Sequence, residues 1–318
     1  MDYFWLILGL ATLVVGGEFL VRGAVGIAKK AQISTLVIGM TVISFGTSAP
    51  ELFVSIDSAF EGNPDIAIGN VVGSNIANIA LVLGLTVLIF PIVVDRNSKV
   101  VDWPMMMLAT VLFWLFSMDY MIEWWEGAIL FGILLVFTYL LIRNSRRQTK
   151  RAKAEAIEED EEIANVKDKI GLSILLTIIG LVGLYFGAEW LINGAVGIAE
   201  SFQMEKRIIA ITVVAFGTSV PELVTSAVAA FKKETDISVG NLIGSNIFNI
   251  MAVIGVTGMV HPIAVDEKIF NVDFWWMIGI AVALLPMMII GKKIGRFKGA
   301  LLLGTYIVYI SILVISIQ

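Results

Sequence analysis

The sequence predicts an all-α membrane protein of ten transmembrane helices, built as two inverted five-helix repeats with both termini outside. Three observations predict it: recurring apolar runs, an internal duplication, and an odd number of runs in each copy. Of the 318 residues, 58% are hydrophobic and 15% charged, and mean hydropathy is +0.90. A soluble domain carries about 25% charge. Runs of about 20 apolar residues cross a bilayer core. Ten are legible, near 3–27, 34–60, 66–91, 103–118, 126–142, 170–195, 208–231, 237–260, 272–290 and 299–317. The short alternating segments of a β-barrel are absent from the sequence.

The opening "MDYFWLILGL" lacks a basic leader region, so the first run reads as a retained span. There are no cysteines, which excludes disulfides, thiolate metal sites and cysteine nucleophiles. Lys and Arg sort unevenly when the runs are numbered across a membrane. Only Lys206, Arg207 and Lys268 fall on one side, and Arg22 lies within the first run. All other basic residues fall on the opposite side, which the positive-inside rule makes cytoplasmic. Trp5, Trp124, Trp125, Trp275 and Trp276 lie near outer ends, where aromatic belts form. The expected setting is a cell (plasma or inner) membrane.

The duplication has a constant offset of 171 residues. "GGEFLVRGAVGIA" (16–28) matches "GAEWLINGAVGIA" (187–199), "SFGTSAPE" (44–51) matches "AFGTSVPE" (215–222), and "DIAIGNVVGSNIANI" (65–79) matches "DISVGNLIGSNIFNI" (236–250). Asp102 faces Asp273 in this frame. Five spans per copy make the second copy enter from the opposite side, and inverted repeats are typical of secondary transporters with a midplane site. The predicted divisions are 1–142, a charged cytoplasmic linker at 143–169, and 170–318.

Each octapeptide reads as a polar helix face broken by proline. Ser44, Thr47, Ser48 and Glu51 follow i, i+3, i+4, i+7 and share a face. Pro50 has no N–H for the carbonyl of Gly46, so the helix is expected to open there, with Gly46 permitting the departure. Ala215, Thr218, Ser219 and Glu222 repeat the arrangement. The next run adds Asn70, Ser74 and Asn78, matched by Asn241, Ser245 and Asn249. Gly69, Gly73, Gly240 and Gly244 are expected to let neighbouring helices approach closely. These groups are nearly all oxygen donors, the chemistry of a hard cation such as Ca²⁺ or Na⁺. A charge at the bilayer centre costs from about 2.5 to over 10 kcal/mol. A divalent cation between Glu51 and Glu222 offsets both that cost and their repulsion. Asn70, Asn75, Asn241, Asn246, Thr41 and Thr212 read as interhelical hydrogen-bonding groups. Glu18 and Arg22 are spaced to pair, Glu189 is expected near a helix end, and Asp57 lies either in an outer vestibule or at a helix interface. His261 reads as incidental.

The paired "GTSxPE" and "GNxxGSNIxNI" motifs resemble the α-repeats of the cation/Ca²⁺ exchanger superfamily, in its prokaryotic-type sodium/calcium exchanger branch. The resemblance implies Na⁺/Ca²⁺ antiport by alternating access, three Na⁺ for one Ca²⁺ and electrogenic, with no enzymatic reaction and no cofactor. It implies that Glu51 and Glu222 coordinate the ions. Thr47 and Thr218 would give carbonyl and hydroxyl oxygens, and Ser48, Ser219, Ser74 and Ser245 would complete flanking Na⁺ sites. Asn78 and Asn249 would face the centre, and the backbone carbonyls of Ser44 and Ala215 would add ligands. Spans one and six would slide past the core, their "GAVGIA" segments forming a smooth sliding face. Some relatives carry Asp at one of the two positions matched by Asn78 and Asn249; Asn at both here argues against K⁺ dependence. Ca²⁺/H⁺ antiport is the alternative, followed by a passive cation channel. The expected partners are the two ions and the lipid bilayer, without nucleic acid, and the expected functional unit is a monomer.

Overall fold

A computed structural model of the chain describes residues 1–156, 170–202, 215–291 and 293–317. The described residues form α1 (Asp2–Ala31), α2 (Thr35–Thr47), α3 (Ala49–Phe60), α4 (Pro64–Ile89), α5 (Ser98–Phe116) and α6 (Trp124–Ala156) in the first half. The second half holds α7 (Ile170–Ser201), α8 (Ala215–Thr218), α9 (Val220–Phe231), α10 (Thr235–Val260), α11 (Ile269–Ile289) and α12 (Arg296–Ile317). Eight of these are long and apolar enough to span a membrane, and α2 with α3 makes a ninth span bent by 42°. The shorter apolar helix α9 matches α3 in the repeat frame. The residues before α8, including Thr212, Lys206 and Arg207, lie outside the described residues, as does the linker beyond 156.

Local chemistry sets the element ends. α1 stops at Gln32, whose left-handed backbone (φ 56°) caps the carbonyls of Ala28 and Lys29. Ser34 then caps α2, its hydroxyl accepting from the Val37 N–H at 3.3 Å. Pro50, Pro64 and Pro221 sit in first turns, where no N–H is required, and Pro104 follows the π-helical turn Ser98–Asp102 that opens α5.

The duplication is visible in the strand contacts as well. Met121–Ile122 (β1) pairs antiparallel with Ile263–Ala264 (β2), placing Ile122 opposite Ile263. The isolated bridge Ile92 to Ile294 is its counterpart. Ile92 and Ile263 keep the 171 offset, but Ile122 and Ile294 differ by 172, so the second copy is one residue longer between Asp273 and Ile294 than the first is between Asp102 and Ile122.

A row of glycines seven apart in α1 (Gly9, Gly16, Gly23) meets its matched row in α7 (Gly180, Gly187, Gly194). A Cβ on Gly16 would lie 2.9 Å from the Leu184 backbone nitrogen, so these two helices pack backbone to backbone. Within the "GAVGIA" segments, Gly23 and Gly194 seat α1 against α7, while Ala24 and Ala28 are buried in a cluster with Ile38 and Ile43 of α2. The outward sides of α1 and α7 expose Ile7, Leu10, Val14, Ile178 and Val182, as a lipid-facing surface does.

Other expectations shift in detail. The span break falls at Ser48 (φ −88°, ψ 3°), two residues past Gly46, because Pro50 is accommodated in the first turn of α3. Gly46 serves a different purpose: any side chain there would run into Leu181 of α7. Glu189 lies well inside α7, exposed, since that helix runs on to Ser201. Asp57 is exposed, so it is not at a buried helix interface. α6 continues past 142 into the polar segment, where Ser145 is buried and its hydroxyl accepts from the Ser34 N–H at 2.7 Å.

Candidate ion-binding site

The two proline-broken segments and the two asparagine-bearing spans meet in the middle of the molecule. α3 packs on the π-helical turn Asn249–Ile254 of α10, and α9 packs on the matching turn Ala77–Leu83 of α4. Each carboxylate helix therefore packs on the amide helix of its own repeat and on that of the other. π-helical turns interrupt the regular carbonyl ladder and recur at functional sites. Pro50 and Pro221 leave the carbonyls of Gly46 and Gly217 without their helical donor.

Glu51 and Glu222 are fully buried, at 0% and 1% exposure, and lie within electrostatic reach of each other. Ser44, Thr47, Ser48, Ser74, Asn78, Ser219, Ser245 and Asn249 are buried around them. Thr218 is half-buried, and Ala215 opens the helical turn α8. Contacts cross between repeats: the Thr47 hydroxyl is 3.3 Å from Asn241 Oδ1 and 3.5 Å from Ser245 Oγ, and the Ser48 hydroxyl is 3.5 Å from Glu222 Oε1. The Ser44 hydroxyl is engaged by the carbonyls of Gly39 and Asn241, at 2.8 and 3.0 Å. That leaves its backbone carbonyl as the group it shares with Ala215.

Four asparagines form a matched network across the repeat interface. Asn78 Nδ2 donates to Asn246 Oδ1 and Asn249 Nδ2 to Asn75 Oδ1, each at 3.2 Å. Asn246 and Asn75 direct their own nitrogens to the thioethers of Met106 and Met277, which the 171 offset also matches. With the nitrogens of Asn78 and Asn249 occupied, their Oδ1 atoms are left buried and unpartnered. Further out, Asn70 and Asn241 donate to Ser55 and Ser226, both at 3.1 Å.

The remaining buried oxygens make this a cation site in chemical terms. Both carboxylate oxygens of Glu51, Oε2 of Glu222, Oγ of Ser219 and Oδ1 of Asn78 and Asn249 have no hydrogen-bond partner among the described residues. Buried acceptors left unpaired cost about 1–3 kcal/mol each, and more when charged. Among the described residues no basic side chain answers them, so a hard cation is the group that fits. The described residues hold no cluster of three or more acidic, His or Cys side chains with metal-binding spacing. The site's charge therefore rests on two glutamates. The sequence marks Asn75 and Asn246 only as interhelical groups; their 171-residue match is legible in it, but their hold on Asn249 and Asn78 is not. Glu18 does pair with Arg22 at 2.5 Å, and it also receives Lys232 at 2.5 Å, a partner distant in sequence. His261 is exposed beside Phe60.

The fold and this buried oxygen-lined centre define the class: a multi-pass helical membrane transporter built on an inverted repeat. Comparison with known proteins narrows it. The sequence profile described as sodium/calcium exchanger protein matches residues 1–143 and 172–315. The chain is 36% identical over 308 residues to the putative antiporter CaxA of Alkalimonas amylolytica, covering 96% of each chain. It is 30% identical over 344 residues to the sodium/calcium exchanger MaX1 of Methanosarcina acetivorans, covering 98% of each. Its fold matches the sodium-calcium exchanger NCX_Mj soaked with 2.5 mM Na⁺ and 0.1 mM Ca²⁺ at a TM-score of 0.83, with 32% identity over 98% of this chain and 97% of that one. The chain belongs to the sodium/calcium exchanger family.

Proposed function

We propose that the chain exchanges Na⁺ for Ca²⁺ across a cell membrane, three Na⁺ for one Ca²⁺, by alternating access. The observation that carries this reading is the set of unpartnered buried oxygens on Glu51, Glu222, Asn78 and Asn249, drawn from both repeats. Ca²⁺ sits between the two glutamates, with carbonyl and hydroxyl oxygens of Thr47 and Thr218 beside it. Na⁺ ions take flanking positions formed by Ser48, Ser219, Ser74 and Ser245 with the carbonyls of Ser44 and Ala215. Asn78 and Asn249 present oxygen to the centre because Asn246 and Asn75 hold their nitrogens away from it. All of these groups come from one chain, so a monomer is sufficient. The backbone-to-backbone seat of α1 on α7 lets that pair move as one body past the core. The 32% identity to NCX_Mj over nearly the whole chain supports the choice of ions.

The charge balance supports the ratio. Two glutamates carry two negative charges; one Ca²⁺ neutralises them, and three Na⁺ leave one positive charge to move with the cycle. A tenfold Na⁺ gradient on three ions supplies about 4.1 kcal/mol, and one charge crossing ~100 mV adds about 2.3 kcal/mol. Together these sustain a Ca²⁺ ratio above about ten-thousandfold. The test is Ca²⁺ uptake into vesicles containing purified protein and loaded with Na⁺. Uptake is expected under an outward Na⁺ gradient, accelerated by an inside-positive potential and independent of K⁺. Uptake driven by a pH gradient without Na⁺ identifies the Ca²⁺/H⁺ antiporter instead, and flux without any coupling gradient at channel rates identifies a pore.

A further inference from the structure

Away from the central site, a cavity of about 480 Å³ opens where α1, α7 and the α9–α10 turn converge. Its lining divides in two. Val21, Val25, Leu172 and Leu176 form an apolar wall, and Arg22, Lys29 and Lys232 bring cations to its edge, with Ser173 between them. Glu18 takes the Arg22 Nε and the Lys232 Nζ on the same oxygen. One carboxylate shared by two cations leaves positive charge over. The terminal Nη groups of Arg22 and the ammonium of Lys29 have no partner among the described residues, and both side chains are exposed. Glu234 is the other acid at the cavity.

The repeat supplies a control for this charge. The 171 frame carries Arg22 to Asn193, Lys29 to Glu200, Ser173 to Asp2 and Lys232 to Glu61. The backbone arrangement is retained: Asp2 lies against Gly197 as Ser173 lies against Gly26. The same architecture thus exists twice with opposite charge, so the fold does not require cations here. A positive-inside bias accounts for the sign of Lys29 and Lys232 at this end of the molecule, but not for Arg22 within the span or for the apolar wall beside it.

We propose that this cavity binds the phosphate of an anionic phospholipid, with its acyl chains along Val25, Leu172 and Leu176. Arg22 offers a planar pair of donors suited to phosphate oxygens, Lys29 a point charge, and Ser173 a hydroxyl. A free phosphate shares the headgroup chemistry but has nothing to lay against the apolar wall.

The test is native mass spectrometry of the full-length protein in detergent with phosphatidylglycerol or phosphatidylcholine of matched chains, with a sodium pyrophosphate arm. Wild type is expected to retain phosphatidylglycerol under activation that strips phosphatidylcholine. Arg22→Asn with Lys29→Glu installs residues the second repeat already carries at those positions, and is expected to lower retention about tenfold or more, the loss of one to two charged contacts. Arg146→Gln with Arg147→Gln, on a separate basic surface, is expected to leave it unchanged. Elution volume and helix content check the fold; if the double variant fails that check, Arg22→Gln alone carries the test. Equal retention of the two lipids overturns the proposal, as does an equal loss in the Arg146/Arg147 variant. Displacement of the lipid by pyrophosphate regardless of chain length overturns the lipid as the source.

Discussion

Asn75 and Asn246 are matched by the repeat and make matched bonds, each holding an amide of the opposite half at 3.2 Å. Asp102 and Asp273 are matched equally well in sequence, yet Asp273 receives the Tyr309 hydroxyl at 3.1 Å while both oxygens of Asp102 are buried without a partner. The first pair lies where the halves meet and each residue bonds to its counterpart's surroundings. A change in one asparagine there is felt by both repeats. The aspartates lie away from that meeting place, at positions where the two copies have different neighbours. Symmetry is kept where it is shared and drifts where each half has its own surroundings. The cavity charges follow the second pattern, and so does exposed Asp57, whose counterpart is Val228.

The sharpest way to break this comparison is at the carboxylates. Glu51→Gln and Glu222→Gln are each expected to bring Ca²⁺ uptake in vesicles to background while the protein elutes and folds as wild type. Each removes one of the two charges that face the ion, from a helix braced by the other repeat. Normal Ca²⁺ flux in one variant and none in the other would show that the halves are not equivalent at the centre.

Asn75→Ala and Asn246→Ala test the network one layer out. Each frees the amide of Asn249 or Asn78 to rotate its nitrogen toward the site. Orienting partners of ligands are worth about 10–100-fold in metal affinity, and a loss of that size in Ca²⁺ affinity is expected, equal for the two variants. An unchanged affinity in Asn75→Ala would remove the positioning role.

Much of this centre is legible in the sequence alone. A 171-residue match between two acidic, proline-broken segments has few uses inside a bilayer, and buried carboxylates without basic partners point to a cation. Contacts that join distant residues were not legible. Nothing in the local sequence tells that Lys232 reaches Glu18, that Ser145 docks on Ser34, or that Asn246 faces Asn78. Glycine roles depend on such contacts too. Gly46 reads as a hinge ahead of a proline, and in the structure it also faces the tip of the Leu181 side chain on another helix. Which residues of "GAVGIA" meet α7 and which meet the core likewise depends on the packing of α1 on α7. The extra residue in the second copy falls in a region where sequence identity between the repeats has faded.

The glycine rows give a prediction of intermediate size. Gly16→Val and Gly187→Val are each expected to destabilise the protein by about 1–3 kcal/mol, because the new side chain meets backbone that cannot move aside. Gly46→Ala meets only the tip of the Leu181 side chain and is expected to cost less. Thermal unfolding in one detergent ranks the three. A smaller loss for Gly16→Val than for Gly46→Ala would show that α1 and α7 can separate without penalty.

The smallest effect addresses the aspartates that opened the comparison, and it is a difference of sign. Asp102→Asn removes a buried carboxylate that has the Ser98 hydroxyl near it and no basic partner among the described residues, so it is expected to raise stability by about 1 kcal/mol. Asp273→Asn weakens a charge-assisted bond from Tyr309 and is expected to lower stability by about 1 kcal/mol. With the 172 offset that applies beyond α11, the counterpart of Tyr309 is Phe137, a half-buried ring that lacks only the hydroxyl. Phe137→Tyr therefore restores to the first half the donor that the second half has. It is expected to stabilise the wild type and to do less in the Asp102→Asn background, where the charge is gone. The double-mutant cycle isolates that coupling from any change in ring packing. A coupling near zero would mean that Phe137 and Asp102 have drifted apart in space as well as in chemistry, and that the two halves differ there in backbone arrangement and not only in one oxygen atom.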